Sequence, residues 1–472
     1  MPRSPLQLSP AAMRELGYRV VDSIIEHIET LRSQPVTVQR SRSELEAVLG
    51  EIPEHGRPPE EALQRVVRDI LGSITKVDHP RFYAFVPGPG NFVGAMADAL
   101  ASGFNVFAGH WLAASGPSAV ELELVEWLAR ACGLPEGAGG LFVSGGSMAN
   151  LTALGAARFV KLGGHDPAAT IYFSDQTHSS LPKGLRVLGF SLDQLRVLPS
   201  DENQRLDPEV LANAVASDRR KGRRPFCVVA NAGTTNTGAV DPLGELASYA
   251  HAEDLWLHVD GAYGAAAVLT ERGRSLLEGI DKADSVALDP HKWLFQPFEI
   301  GCVLVRDRRH LAATYAVRPE DQAAYLEDVG RIAQEELAFF EYGIQLTRYF
   351  RALKLWLSLQ VFGQAAFREA IEGGIALAEA AEEAIRNDPR WELVTPAQLA
   401  VVTFAPRSSC EVAASDAMVQ RAVEGLMADG YAAVTSTQVR GRSVLRLCLI
   451  HPDARLEEVK ETLNRLARYA GV

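Results

Sequence analysis

Between residues 139 and 305 the chain repeats one pattern: a short apolar run, then glycine or a polar residue, then a segment with helical spacing. The runs "GLFVSGG", "ATIYFSD", "FCVVANAG", "LWLHVDGAYG", "SVALDPHK" and "GCVLVRD" follow one another in this way. A run that is apolar at nearly every position suits a strand covered on both faces, and strands separated by helices pair in parallel. The pattern therefore predicts an α/β domain with a mostly parallel central sheet flanked by helices. In such a sheet ligands collect beyond the carboxyl ends of the strands. The polar residues that end each run are thus the first candidates for a site.

The flanking segments read differently. Residues 9–34 carry Val20, Val21, Ile24, Ile25, Ile28 and Leu31 at helical spacing, with Ser9 and Pro10 as N-cap and first-turn pair. Further helices are expected over 43–49 and 59–73, which makes 1–80 an N-terminal helical segment. The large domain is expected over 81–375, with a helical stretch at 332–363. Over 376–472, "WELVTP", "AVVTFAP" and "VLRLCLI" predict strands and 455–470 a closing helix, together a small C-terminal α/β domain.

Composition narrows the partners. A chain of 472 residues that is 47% hydrophobic can build one large core and one or two smaller ones. A net charge of −12 argues against nucleic acid and anionic membranes as partners. The cysteines (Cys132, Cys227, Cys302, Cys410 and Cys448) show no CxxC spacing, and several sit in apolar runs, as small buried hydrophobes of a reducing compartment do. Residues 1–10 lack the apolar core of a signal peptide, and the uncharged stretch 99–120 is broken by glycines and Pro117. A soluble cytoplasmic protein is expected, with no metal site.

The strand ends carry the chemistry. "FVSGGSMANLTAL" sets Ser144, Gly145, Gly146 and Ser147 between a strand and a helix, a turn that suits either tight packing or an anion at a helix N-terminus. "YFSDQTHSS" ends in His178, and "VANAGTTNTGAVD" brings Thr234 and Thr235. Asp260 follows mainly apolar residues, so its carboxylate is expected to be buried and to need a cationic or hydrogen-bonding partner. Small residues Gly261, Ala262 and Gly264 follow it and leave room for something flat. Lys292, in "DPHKWLF", either snorkels along an apolar face or puts its amine to chemical use. One cofactor uses all these groups together: pyridoxal 5'-phosphate. Its phosphate suits the Gly-Ser turn, its protonated ring nitrogen a buried carboxylate, and its aldehyde a lysine.

The segments "SGGSMANLTAL", "DQTHSS", "GTTNTGAVDPL", "WLHVDGAYG" and "DPHKW", in that order, resemble the group II pyridoxal-phosphate decarboxylases, most of all their aromatic L-amino-acid decarboxylase branch. The resemblance extends to "GYRVVDSIIEHIETLRSQPV", "HPRFYAFVPGPGNFVGAMADAL", "WLAASGPSAVELE", "LTRYFRALKLW" and "LRLCLIHPDA", nearly the whole chain. It implies a type I aminotransferase-like fold and a homodimer with active sites at the interface and N-terminal helices wrapped around the partner. It makes Lys292 the lysine linked to the cofactor and Asp260 the partner of the ring nitrogen. Ala262 and His178 would lie against opposite ring faces. Gly146, Ser147 and His291 would contact the phosphate, and Thr235 would lie near the ring hydroxyl. The family's loop tyrosine, which returns a proton after carbon dioxide leaves, matches Tyr325, with Tyr315 as the alternative.

The substrate walls implied are Phe85, Val86, Pro87, Phe107 and Thr347. Here the chain departs from animal members, which often carry a tryptophan at Val77 and a bulkier aromatic and a threonine at Val86 and Gly88. Thr347 stands where glycine or serine is usual, which would favour phenyl or phenol side chains over indole. The activity implied is decarboxylation of an aromatic L-amino acid (tyrosine, dopa, phenylalanine or tryptophan). An aromatic aldehyde synthase, a decarboxylase of a non-aromatic amino acid and a catalytically silent scaffold are the alternatives.

Overall fold

The computed structural model describes residues 4–317, 337–407 and 412–472. Ahead of the sheet come α1 (Pro10–Thr30), α2 (Arg42–Leu49), α3 (Pro59–Arg65), α4 (Phe92–Gly103) and α5 (Trp111–Ala131). Ser9 caps α1, its hydroxyl accepting the Ala12 N–H at 3.1 Å. The helix expected to continue to residue 73 is α-helical only to Arg65 and then loosens into a wider turn, Val66–Ile70.

The alternating region then gives β1 (Gly139–Val143), α6 (Gly146–Leu162), β2 (Ala169–Ser174), α7 (Ser180–Val187), β3 (Leu195–Leu198), α8 (Pro208–Arg220), β4 (Arg224–Asn231), α9 (Leu243–Ala252) and β5 (Trp256–Asp260). It continues through α10 (Glu271–Leu276), β6 (Ser285–Leu288), α11 (Pro290–Trp293), β7 (Gly301–Val305) and α12 (Arg309–Tyr315). The seven strands lie in the order β1-β7-β6-β5-β4-β2-β3. Only β7 runs antiparallel to its neighbours; the other pairings are parallel. β1, β2, β5, β6 and β7 are buried at every position, as the uninterrupted apolar runs require. β3 escapes the pattern because it is a short edge strand with an exposed Val197.

Parallel pairing levels the strand ends. Asn231 of β4 and Ala287 of β6 are both in register with Asp260 of β5. The carboxyl ends of three adjacent strands therefore open onto one place.

Of the helix expected over 332–363, residues 332–336 lie outside the described residues, and the helical part begins at Ala352. Among the described residues, 337–351 hold only a short turn, Phe339–Glu341, and α13 then runs Ala352–Arg386 with a break at Gly363 (φ 71°). Its apolar residues mislead because Phe339, Phe340 and Phe350 bury their rings from irregular backbone. Beyond α13 come β8 (Trp391–Gln398), β9 (Val401–Pro406), α14 (Val412–Asp429), β10 (Thr435–Val439), β11 (Arg442–Cys448) and α15 (Leu456–Ala470). The four strands form an antiparallel sheet, β10-β11-β9-β8, with a core of its own.

A buried ion pair fastens the irregular segment. Arg348 Nη2 donates to Glu121 Oε1 at 2.5 Å and Nη1 to Oε2 at 3.1 Å, with both side chains 1% exposed. Nη1 also donates to the Ala108 carbonyl and Nη2 to that of Phe142, whose own N–H returns to Glu121. One guanidinium thus ties residues 108 and 348 to β1. Losing one partner of such a pair strands a buried charge and costs about 3–5 kcal/mol. Glu121→Ala is expected to lower the urea unfolding midpoint by that measure, whereas Glu121→Leu combined with Arg348→Met restores most of it. Equal losses in the single and double variants would show that the pair is not the fastening.

Candidate active site

At the level strand ends lies a cavity of about 420 Å³. Lys292, His178, Asp260, Ala262, Gly146, Ser147, Thr235 and His291 all line it, with Asn150, Thr234, Asp289 and Glu299 among the rest. A larger cleft of about 980 Å³, lined by Arg205, Arg272, Lys282 and Glu379, contains none of the first group. Chemistry, not volume, selects the smaller one.

Each wall has a local cause. α6 begins at Gly146, and Gly145 before it has no side chain to cap it, so the N–H groups of Gly146 and Ser147 are left for the cavity. A Cβ on Gly146 would stand 2.8 Å from the Ala262 Cβ and 2.9 Å from Asp289 Oδ2, so only glycine lets the helix come this close. β5 delivers Asp260, which is buried. Its Oδ2 accepts the Asn150 Nδ2–H at 2.9 Å, and its Oδ1 the Ala262 N–H at 3.2 Å. Both donors are neutral groups. The turn after β6 delivers Lys292, a quarter exposed, with Nζ 3.0 Å from Asp289 Oδ2. Behind it Trp293 stacks on Tyr263 with ring centres 5.0 Å apart.

The two histidines are held neutral by their surroundings. Burial lowers the basicity of His178, and nearby Asp260 opposes that only in part. Burial likewise lowers His291, whose Nδ1 accepts the Ile300 N–H at 3.2 Å. The Thr234–Thr237 hydroxyl pair, 2.9 Å apart, fixes the loop that carries Thr235. Glycine at 233 is required there, with φ 97°.

The pyridoxal phosphate expected from the sequence fits this donor set. An uncapped helix start meets its phosphate, an acid with only neutral partners meets its ring nitrogen, and a primary amine meets its aldehyde. Sequence reasoning missed Asn150 and Asp289. Asn150 lies one helical turn after Ser147, and Asp289 one turn before Lys292; that spacing was the available signal.

The expected substrate walls do not line this cavity within one chain. Phe85 is 63% exposed, Thr347 is exposed, and Val86 and Pro87 pack towards the interior. Phe107 packs edge-on against His110 at 5.4 Å. Tyr315 does not reach the site either: its hydroxyl donates to the Thr152 carbonyl at 2.7 Å, on the α6 backbone. Tyr325 lies outside the described residues. Among the described residues no cluster suited to a metal ion occurs, and no helix is long and apolar enough to cross a membrane.

One buried acid supports the floor. Asp241 accepts the N–H groups of Leu206 at 2.7 Å and Asn231 at 2.6 Å, and Asn231 Nδ2–H at 3.0 Å. Burial pushes its carboxyl up to about 6, against the pull of those bonds. A carboxyl with a raised folded value binds its proton more readily when folded. The resulting stabilisation is full below the unfolded value of about 3.9 and is lost as pH rises through about 6. Relative to wild type, Asp241→Asn should therefore gain stability from about pH 4 to pH 6, by at most about 1.4 kcal/mol per pH unit. Urea midpoints at a series of pH values measure this, and a difference that stays flat with pH would refute it.

Residues 43–407 match the family model described as the pyridoxal-dependent decarboxylase conserved domain. The chain is 48% identical to an aromatic-L-amino-acid decarboxylase of Bacillus atrophaeus, over 98% of this chain and 97% of that protein. It is 31% identical to a phenylacetaldehyde synthase of Arabidopsis thaliana, over 95% and 94%. A crystal structure of Oryza sativa TDC with PLP and tryptamine superposes with a TM-score of 0.92 at 28% identity, covering 100% of this chain and 99% of that one.

Proposed function

Because the chain belongs to the pyridoxal-dependent decarboxylase family, we propose that it converts an aromatic L-amino acid to the amine and carbon dioxide around Lys292. One observation carries this reading: the lysine, the buried acid, the histidine and the uncapped helix start all line a single cavity. The substrate class follows the 48% identical relative, an aromatic-L-amino-acid decarboxylase.

When bound, pyridoxal phosphate supplies an electron sink for the carbon–carboxylate bond that breaks. The protein's own groups do the rest. Lys292 presents the primary amine that would hold the cofactor's aldehyde. Asp260 holds a proton at the ring nitrogen, answered on its other side by Asn150 and the Ala262 N–H. The Gly146 and Ser147 amides and His291 hold the phosphate, and Thr235 lies by the ring hydroxyl. Ala262 and His178 would confine the ring, and His178 would also help to orient the substrate's carboxylate. Tyr325 would supply the proton that replaces the carboxylate on the substrate carbon. In these roles Lys292, Asp260, His178 and Tyr325 are catalytic.

The same reading includes a homodimer. α1 buries none of its residues within one chain, and Tyr18, Ile28, Phe85 and Phe104 are exposed, the last by 80%. A second copy laid over these residues would cover them, and the resemblance implies that Phe85, Phe107 and Thr347 would then lie at the interface. A cytoplasmic location accords with Cys132, Cys227, Cys302 and Cys448, all free and buried.

The purified protein with added cofactor is expected to release amine and carbon dioxide in equal amounts, and to turn over tyrosine, dopa or phenylalanine faster than tryptophan. Hydrogen peroxide, ammonia and an aldehyde in their place would identify an aldehyde synthase. Lys292→Ala is expected to abolish the visible absorbance of the loaded protein and to lower turnover by more than about a thousandfold. Retention of both would refute the assignment.

A further inference from the structure

A relay of hydrogen bonds runs from the buried interior of the sheet to two cavity residues. Trp256 Nε1 is 2.8 Å from Ser285 Oγ, and that oxygen is 2.8 Å from His258 Nδ1. His258 Nε2 is 2.9 Å from Asn150 Oδ1. Asn150 Nδ2 is 2.9 Å from Asp260 Oδ2 and 3.3 Å from Ser180 Oγ, which is 2.8 Å from His178 Nδ1. Trp256, Ser285, His258 and Asn150 are at most 1% exposed, so water does not stand in for any of these partners.

Its direction follows from what each group can do. An indole N–H only donates and a carboxylate only accepts, so the two ends of the relay are fixed. Asn150 must turn its nitrogen to Asp260, and its carbonyl must therefore accept from His258 Nε2–H. His258 Nδ1 is then bare and accepts the Ser285 hydroxyl, whose oxygen accepts from Trp256. On the other branch Asn150 donates its second N–H to Ser180 Oγ, and the Ser180 hydroxyl donates to His178 Nδ1. The Ser180 backbone N–H, 3.2 Å away, addresses the same nitrogen. His178 Nδ1 is thus an acceptor, and its proton lies on Nε2. Burial keeps His258 neutral, drawing it down to about 4.

We propose that Asn150 is a positioning residue that couples Asp260 to His178, and that Trp256, Ser285 and His258 fix which way it faces. One amide thereby keeps Asp260 an acceptor for the cofactor's cation and makes His178 a neutral Nε2–H donor. The inference rests on the reading that Asp260 and His178 face the cofactor.

The unaltered protein gives the first test. Histidine ¹⁵N shifts, assigned by the signals lost in His258→Gln and His178→Asn, should show both rings neutral with the proton on Nε2. A proton on Nδ1 of either ring overturns the proposal. Asn150→Leu and Ser285→Ala, compared at matched melting midpoints, should raise the dissociation constant of pyridoxal phosphate about tenfold or more and about threefold, respectively. Ser285→Ala should also give His258 a mixture of tautomers, although Ser285 does not line the cavity. Folded variants that bind as tightly as wild type overturn the proposal and leave the proposed function standing. Failure of the wild-type protein to bind pyridoxal phosphate overturns both. Should Asn150→Leu not fold, the ¹⁵N shifts of the unaltered protein still decide.

Discussion

A carboxylate inside a protein must be met by hydrogen bonds or by opposite charge, and Asp260 meets that requirement at the end of the middle strand of the large sheet. The donors that reach it, an asparagine amide and a backbone N–H, carry no net charge. A lysine or arginine in their place would have neutralised the acid and left it without a task. Neutral donors stabilise the anion while preserving its pull on a cation that arrives in the cavity. The packing around the strand end serves the same purpose. A Cβ on Gly261 would stand 2.5 Å from the Ala265 Cβ, so the backbone after Asp260 folds back tightly and leaves the space in front of the acid free.

Across the cavity the pattern is inverted. Lys292 stands beside Asp289, a second buried carboxylate, at 3.0 Å, and the two form a compact pair, whereas among the described residues no lysine or arginine pairs with Asp260. Asp289 is also 3.6 Å from His291 Nε2, while its Oδ1 has no hydrogen-bond partner among the described residues. Gly146 and Gly301 both approach this carboxylate too closely to accept a Cβ. The acid at 289 thus sits where α6, β7 and the lysine turn converge, and it offers the lysine's charge a nearby counterpart. Two acids of one chemical type are separated by their partners into different tasks.

Much of this was legible in the sequence because the strands are buried on both faces. An apolar run ended by a polar residue marks a strand and its carboxyl end at once, so Asp260, His178, Thr235, Gly146 and Lys292 stood out together. The parallel register that levels Asn231, Asp260 and Ala287 then brought them to one opening. Three kinds of feature stayed hidden. Edge strands β3 and β10 lack the apolar run because one side faces solvent. Segment 337–351 has helical apolar spacing but is held irregular by the Arg348–Glu121 pair, whose members are 227 residues apart. Ser285 and Trp256 act only through partners distant in sequence, and no local pattern marks them, whereas Asn150 is marked only by its place one helical turn after Ser147. The substrate walls are a different case, since Phe85 and Thr347 are exposed in one chain and the resemblance that picked them implied two.

The lysine turn shows how the fold contributes position. α11 has four residues, too few to hold itself, so its geometry is imposed by what lies behind it. Trp293 is stacked on Tyr263, and the Tyr263 hydroxyl accepts the Ala400 N–H at 2.8 Å, which ties the turn to the start of β9. Lys354 of α13, buried and 2.6 Å from Asp98, donates to the Pro297 carbonyl at 3.1 Å. Arg351, one turn earlier, donates to Glu299 at 2.9 Å, and Glu299 lines the cavity. The residues after Lys292 are therefore clamped by a helix that also packs on the small sheet. A lysine amine that would have to take up and release a carbonyl carbon would gain from such a frame: the amine can reach a reacting group while the backbone that carries it does not yield.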